Sequence, residues 1–259
     1  GEVMSGFEQA LIPVRMAPIM LEAEALGATE GSMQTFLLPM TSDDHALYNP
    51  SLDYAVYLTL PIFYIMFQIL VLLTTLYALG SESKMGTARD WLQSANYRTM
   101  VSVGGKLLPY TLFFVVEALL ANYVFFYWLR IPMAGSIGLF SLISVLFIIA
   151  TQAVAVILYS LFPVLSLVIS VVSMFGSLGA TLSGLTFPLT SMYPIIQYVA
   201  LLFPLRHFTE AMQRIVYYGG GFTSIVPMLL VLCLFPLAAI LLLPRLKRIL
   251  LIRRYDTLE

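Results

Sequence analysis

The strongest constraint on this chain is a set of long apolar runs in which charge is almost absent. Five runs, at 54–79, 107–129, 137–162, 164–187 and 225–243, are long enough to cross roughly 30 Å of hydrocarbon as helices. They are continuously apolar rather than alternating, which argues against barrel strands, and a helix satisfies every backbone polar group within its own segment. Charged residues make up 10% of the chain and hydrophobic residues 60%, against roughly a quarter charged in a soluble domain. A soluble enzyme or binding domain is therefore excluded. The expected fold class is an all-α integral membrane protein: five transmembrane helices plus a proline-broken re-entrant helical hairpin, preceded by the end of an extracytoplasmic domain.

Orientation follows from the basic residues, which favour the cytoplasmic side. With the first run crossing from outside to inside, the inner side carries Lys84, Arg89, Arg98, Lys106, Arg245, Lys247, Arg248, Arg253 and Arg254. The outer side keeps Arg15, Arg130, Arg206 and Arg214. This arrangement predicts an outer N-terminal segment at 1–53, read as the C-terminal part of a periplasmic domain, and a membrane domain over 54–255 with a cytoplasmic C-terminus.

Two connections stand apart. Residues 80–106 exceed a tight helix–helix turn, and residues 87–94 have helical character around Trp91 and Leu92, so the segment reads as a cytoplasmic docking loop. Residues 188–224 are apolar but interrupted by Pro188, Pro194, Pro204 and Gly219-Gly220-Gly221, with Arg206, His207, Glu210 and Arg214 between. Neither half makes a full span, and two short helices re-entering from the outer side are expected. In the 164–187 run, small residues including Ser170, Ser173, Gly176, Ser177 and Gly179 permit close helix approach.

The polar inventory offers little catalytic machinery. His45 and His207, the only histidines, lie in separate segments without metal-site spacing, so no metal site is expected. Val103-Gly104-Gly105-Lys106-Leu107 lacks the first glycine and the Ser or Thr of a phosphate loop. Any ATP dependence must come from another subunit, with no cofactor bound by this chain. Glu117 falls within an apolar run, where an ionisable group is costly. It reads either as a carboxyl bonded to Ser, Thr, Gln152 or Gln68 on neighbouring helices, or as part of a substrate path. The candidate gate of the re-entrant region comprises Pro188, Pro204, Arg206, His207 and Glu210.

Several segments together resemble the permease subunit of an ATP-binding-cassette (ABC) exporter of the type 2 class. Tyr48-Asn49-Pro50 resembles the motif closing the family's external domain. Glu82 with Gly86-Thr87, then Gly105-Lys106-Leu107-Leu108-Pro109-Tyr110, resembles its first cytoplasmic loop. Ser183-Gly184-Leu185-Thr186-Phe187-Pro188, Ser191-Met192-Tyr193-Pro194 and Pro204-Leu205-Arg206-His207-Phe208 resemble its re-entrant region. Lys84 departs from the pattern where many relatives carry an acid, as does Ala95-Asn96 where a proline is common.

The resemblance implies six spans per subunit, so a chain with five is expected to be a fragment lacking the first. It implies a bacterial inner-membrane efflux permease, paired with a second permease subunit, bathed in membrane lipid and joined by a periplasmic adaptor. A cytoplasmic ATPase subunit carrying ATP-Mg would drive it, and this chain itself would not be an enzyme. Glu82, Gly86, Thr87, Arg89 and Trp91 would couple to that ATPase. An amphipathic or apolar cargo would pass between the 54–79 and 164–187 helices, with no role for nucleic acid. The rival readings are an ion-coupled secondary transporter, which would need paired intramembrane charges and repeats, an intramembrane lipid-modifying enzyme, and a membrane scaffold without transport.

Overall fold

The computed structural model describes residues 54–185 and 191–252. The expected outer segment 1–53, with His45 and the Tyr48-Asn49-Pro50 motif, lies outside the described residues, as do Pro188, Arg253 and Arg254. The helices are α1 (Tyr54–Lys84), α2 (Ala88–Ser94), α3 (Thr99–Tyr123), α4 (Ile137–Leu161), α5 (Leu165–Leu182), α6 (Pro194–Ala200), α7 (Pro204–Val216) and α8 (Phe222–Ile252). A π-helical turn at Val124–Trp128 extends α3. Among the described residues α1, α3 with this turn, α4, α5 and α8 are long and apolar enough to cross a membrane. The described residues form an all-α, multi-pass membrane protein.

The helices depart from the apolar runs at their ends. The segment expected as a loop at 80–106 is mostly helical, because α1 continues through Lys84 and α3 already begins at Thr99. Likewise α8 covers Phe222–Ile252 rather than 225–243. Apolarity records where hydrocarbon stops, whereas backbone hydrogen bonding carries the helix on into a region that tolerates Glu82, Lys106 and Lys247. The opposite correction applies to α5. It ends at Leu182 rather than 187, and Gly184 beyond it takes the left-handed conformation at φ 81°, which glycine adopts without steric cost.

Helix α4 is the centre of the bundle and packs against α3, α7 and α8. Its residues 150–156 are all buried, apolar apart from Thr151 and Gln152. The junction of α1, α3 and α4 is pinned by Tyr64, whose hydroxyl donates to Asn122 Oδ1 at 2.6 Å and lies 2.8 Å from Ser144 Oγ. Around it the rings of Phe140, Phe147 and Phe208 bring α4 and α7 onto α1, with Tyr64–Phe208 centroids 4.4 Å apart and Phe147–Phe208 4.5 Å apart.

Helix α5 crosses α1 in antiparallel fashion on its glycines. A Cβ on Gly176 would lie 2.8 Å from Ile69 Cγ1, and one on Gly179 would lie 3.3 Å from Gln68 Nε2. Close backbone approach of this kind is how helices associate where no hydrophobic force distinguishes neighbour from lipid. The serines do not share that seam. Ser170, Ser173 and Ser177 lie on the exposed face, and their hydroxyls donate to carbonyls of their own helix.

The 188–224 region contains the short helices α6 and α7, each opening on a proline, where the missing N–H costs nothing. Helix α7 is amphipathic and seats Leu205, Phe208, Ala211, Met212 and Ile215 in the core. The 129–136 connection closes on its far end. Ala134 N–H donates to the Val216 carbonyl at 2.8 Å, and Gly135 lies so near the Ile215 carbonyl that an added Cβ would overlap it.

This contact yields a paired test. Gly135→Ala should destabilise the protein by roughly 1–3 kcal/mol through overpacking against backbone. Gly104→Ala, whose Cβ would enter open space on α3, should be neutral or stabilising by up to about 1 kcal/mol. Thermal unfolding in detergent checks both, and equal melting temperatures would refute the difference.

Candidate functional site

The end of the bundle that carries α2 is assembled from charge. Helix α1 stops at Lys84, and the chain reverses through Met85, Gly86 and Thr87, with Gly86 at φ 73°. No neighbour lies within 4 Å of a Cβ built on Gly86, so it is the backbone conformation, not space, that calls for glycine there. Thr87 precedes α2 without capping it. Its hydroxyl instead donates to Glu82 Oε2 at 2.5 Å, tying the turn back to α1.

The other oxygen of Glu82 is ion-paired to Lys106 Nζ on α3, with both side chains mostly shielded from solvent. The same ammonium stands 5.0 Å from the ring centroid of Trp91 on α2, within cation–π range. One lysine thus joins α1, α2 and α3. On the inner face of α2, Leu92 is fully buried and Ala88 nearly so. The helix closes as a Schellman motif: Asn96 N–H donates to the Gln93 carbonyl at 2.8 Å and Tyr97 N–H to that of Leu92 at 2.8 Å, with Asn96 left-handed at φ 51°.

Of the residues expected to couple to a partner, Glu82, Thr87 and Trp91 meet around Lys106. Gly86 makes the turn, and Arg89 stands exposed beside Asp90 and Gln93 on the outer face of α2. The carboxylate of Glu82 is engaged within the chain, by Lys106 and Thr87. Lys106 belongs to the cluster although it is not among the residues expected to couple. Its signal in the sequence is its charge, opposite to Glu82 and on the far side of the same connection.

At the other end, α7 carries Arg206, Glu210 and Arg214 one turn apart. Glu210 pairs with Arg206 at 2.9 Å and with Arg214 at 2.7 Å, and Arg214 Nη1 donates to the Ser224 carbonyl of α8 at 2.8 Å. His207 does not join this network. It is buried, and its Nε2–H donates to the Leu201 carbonyl at 3.0 Å. The expected cluster of four thus divides between two faces of α7. Pro204 is buried at the start of that helix.

In the interior, Gln152 Oε1 accepts from Thr111 Oγ1 at 2.7 Å. Of the partners considered for Glu117, neither Gln152 nor Gln68 bonds it: Glu117 Oε2 is buried without a partner, and so are both amide atoms of Gln68. The residue as a whole is half-buried on α3. Among the described residues no three His, Cys, Asp or Glu side chains group as a metal site.

The family model described as ABC-2 family transporter protein matches residues 19–243. The chain belongs to this family. As an ABC-2 family member it is similar to the probable multidrug ABC transporter permease YbhR of Escherichia coli, in strain K12 and in O157:H7. It is 25% identical to each over 168 residues, which cover 65% of this chain and 45% of the relative. The chain thus spans about half the length of the curated relatives it matches. No solved structure matches it.

The charge cluster of this ABC-2 protein predicts a measurable looseness when broken. Lys106→Met leaves the mostly shielded Glu82 without its cation, held only by Thr87, and removes the cation from Trp91, at a cost of roughly 1–3 kcal/mol. Hydrogen exchange over residues 85–98 should accelerate, with little change in α4. A uniform response across the bundle, or none, would sink the assignment of Lys106 as the local clasp.

Proposed function

We propose that the chain is the membrane-spanning part of a permease subunit in an ATP-driven exporter, with its α2 end cytoplasmic and its α7 end outside. Family membership supports the transporter reading. The observation that carries the coupling role is α2: a seven-residue helix held from behind by Leu92, Lys106 and Glu82, yet presenting Arg89, Asp90 and Gln93 to solvent. Fixed backs and free polar fronts suit a helix that receives a partner.

That partner is a cytoplasmic ATPase subunit binding ATP-Mg, and the permease chain converts its closure into access across the membrane. A second permease subunit covers the exposed apolar and serine-bearing face of α5, together with the exposed stripe of α1 at Ile62, Met66 and Leu70. Cargo passes along that junction, and its apolar character favours an amphipathic or apolar substrate. Residues 1–53 belong to an outer domain, and α6 with α7 forms the outer gate. Glu117, unpaired on α3, is the polar group available to a passing or lateral ligand.

The test is reconstitution with the ATPase subunit. Arg89→Glu alters an exposed position that supports no packing, so the permease should fold normally while binding the ATPase roughly ten-fold more weakly or worse. Trp91→Ala should retain less of the stimulated ATP hydrolysis than wild type. An unaltered complex and unaltered hydrolysis in both variants would overturn the coupling role of α2.

A further inference from the structure

The basic end of the chain invites the reading of a topology anchor lying beside lipid. The structure gives it a second attachment. Helix α8 continues past the apolar run to Ile252 and packs directly on α2. Leu246 and Leu250 are buried in the same apolar cluster as Leu92 and Ala88. Lys247 Nζ stands 5.8 Å from the ring centroid of Tyr97, the residue that completes the cap of α2. Tyr97 is left-handed at φ 58°, a conformation a bulky residue holds only when its surroundings impose it.

The same helix reaches the opposite end of the molecule. Its first turns contribute Ile225, Met228, Leu229 and Leu232 to the core that seats α7. The Ser224 carbonyl accepts from Arg214, and Phe235 faces His207 with ring centroids 6.4 Å apart. From Ser224 to Lys247 an unbroken helix spans roughly 35 Å at 1.5 Å per residue. Helix α8 thus touches both α2 and α7.

We propose that Lys247 and Leu250 are positioning residues for α2, acting through Tyr97 and Leu92, and that α8 transmits displacement of α2 to α7. This rests on the reading of α2 as the receiver of an ATPase subunit. Pushing α2 moves the turn of α8 packed on it, and a helix rigid in its length carries that shift to Arg214 and the α7 seat. Pro227, Pro236 and Pro244 interrupt the ladder of α8, and each removes one backbone hydrogen bond.

The complete permease with its ATPase subunit, in lipid nanodiscs, provides the test. Gln213→Cys on the half-buried flank of α7, in a Cys233→Ser background, is labelled with a polar maleimide, nucleotide-free and after trapping with ATP and vanadate. Two quantities are read: ATPase subunit retained, and the nucleotide-dependent change in labelling rate per retained subunit. Lys247→Met and Leu250→Ala should reduce the second by roughly three- to ten-fold, and Lys247→Arg should restore it. An unchanged ratio in Lys247→Met overturns the proposal. Loss of ATPase retention in Lys247→Met of normal thermal stability also overturns it, because that outcome makes Lys247 part of the docking surface. Wild-type protein that retains no ATPase refutes the proposed function itself. Wild-type protein that retains the ATPase yet shows no nucleotide-dependent change at residue 213 refutes transmission through α8 alone.

Discussion

The hydroxyl of Tyr64 is the contact on which the bundle depends. It connects α1 to Asn122 of α3 and Ser144 of α4, while its ring receives Phe208 of α7. In hydrocarbon the hydrophobic effect does not draw helices together, so polar links and shape decide which faces meet. A tyrosine serves both purposes at one position, with an apolar body that packs and a donor that must find an acceptor. Once α1 is rotated to place Tyr64 inward, Gln68 and Ile69 face the glycines of α5, and Ile62, Met66 and Leu70 are left facing outward.

The two ends of the bundle are held by different forces. At the α7 end, aromatic stacking and close backbone approach at Gly135 and Gly220 leave little freedom to slide, because a packed interior resists small displacements. At the α2 end the links are an ion pair, two cation–π contacts and an apolar patch around Leu92. Charged contacts near water can be exchanged for solvent or for a partner's side chains at modest cost. The contacts at the α2 end are therefore the more easily exchanged of the two.

Much of this was legible in the apolar runs, which mark five spans because hydrocarbon thickness dictates their length. Helix ends were not legible, since Glu82 and Lys106 end a hydrophobic run without ending a helix. The sequence pattern groups Arg206, His207, Glu210 and Arg214 by spacing, but 100° of rotation per residue turns His207 into the core and away from its neighbours. The motif around Gly105 and Lys106 marks the segment as special without revealing its contacts. Lys106 meets Glu82 only because α1 and α3 return side by side, a tertiary fact that lies 24 residues apart in sequence. Glu117 was legible as unusual, and its lack of a partner could be learned only from the packing.

The turn after α2 shows how these levels join. Asn96 at the left-handed position is ordinary helix-cap chemistry, for its short polar side chain tolerates that conformation. Tyr97, left-handed immediately after it, is not, and for such a residue the conformation costs roughly 1–2 kcal/mol. Its backbone N–H bond to Leu92 and the ammonium of Lys247 over its ring provide the compensation. The two partners lie on different elements, Leu92 on α2 and Lys247 on α8. The strain at Tyr97 therefore makes the turn sensitive to the spacing of those helices, since its compensation is complete only while α2 and α8 remain together.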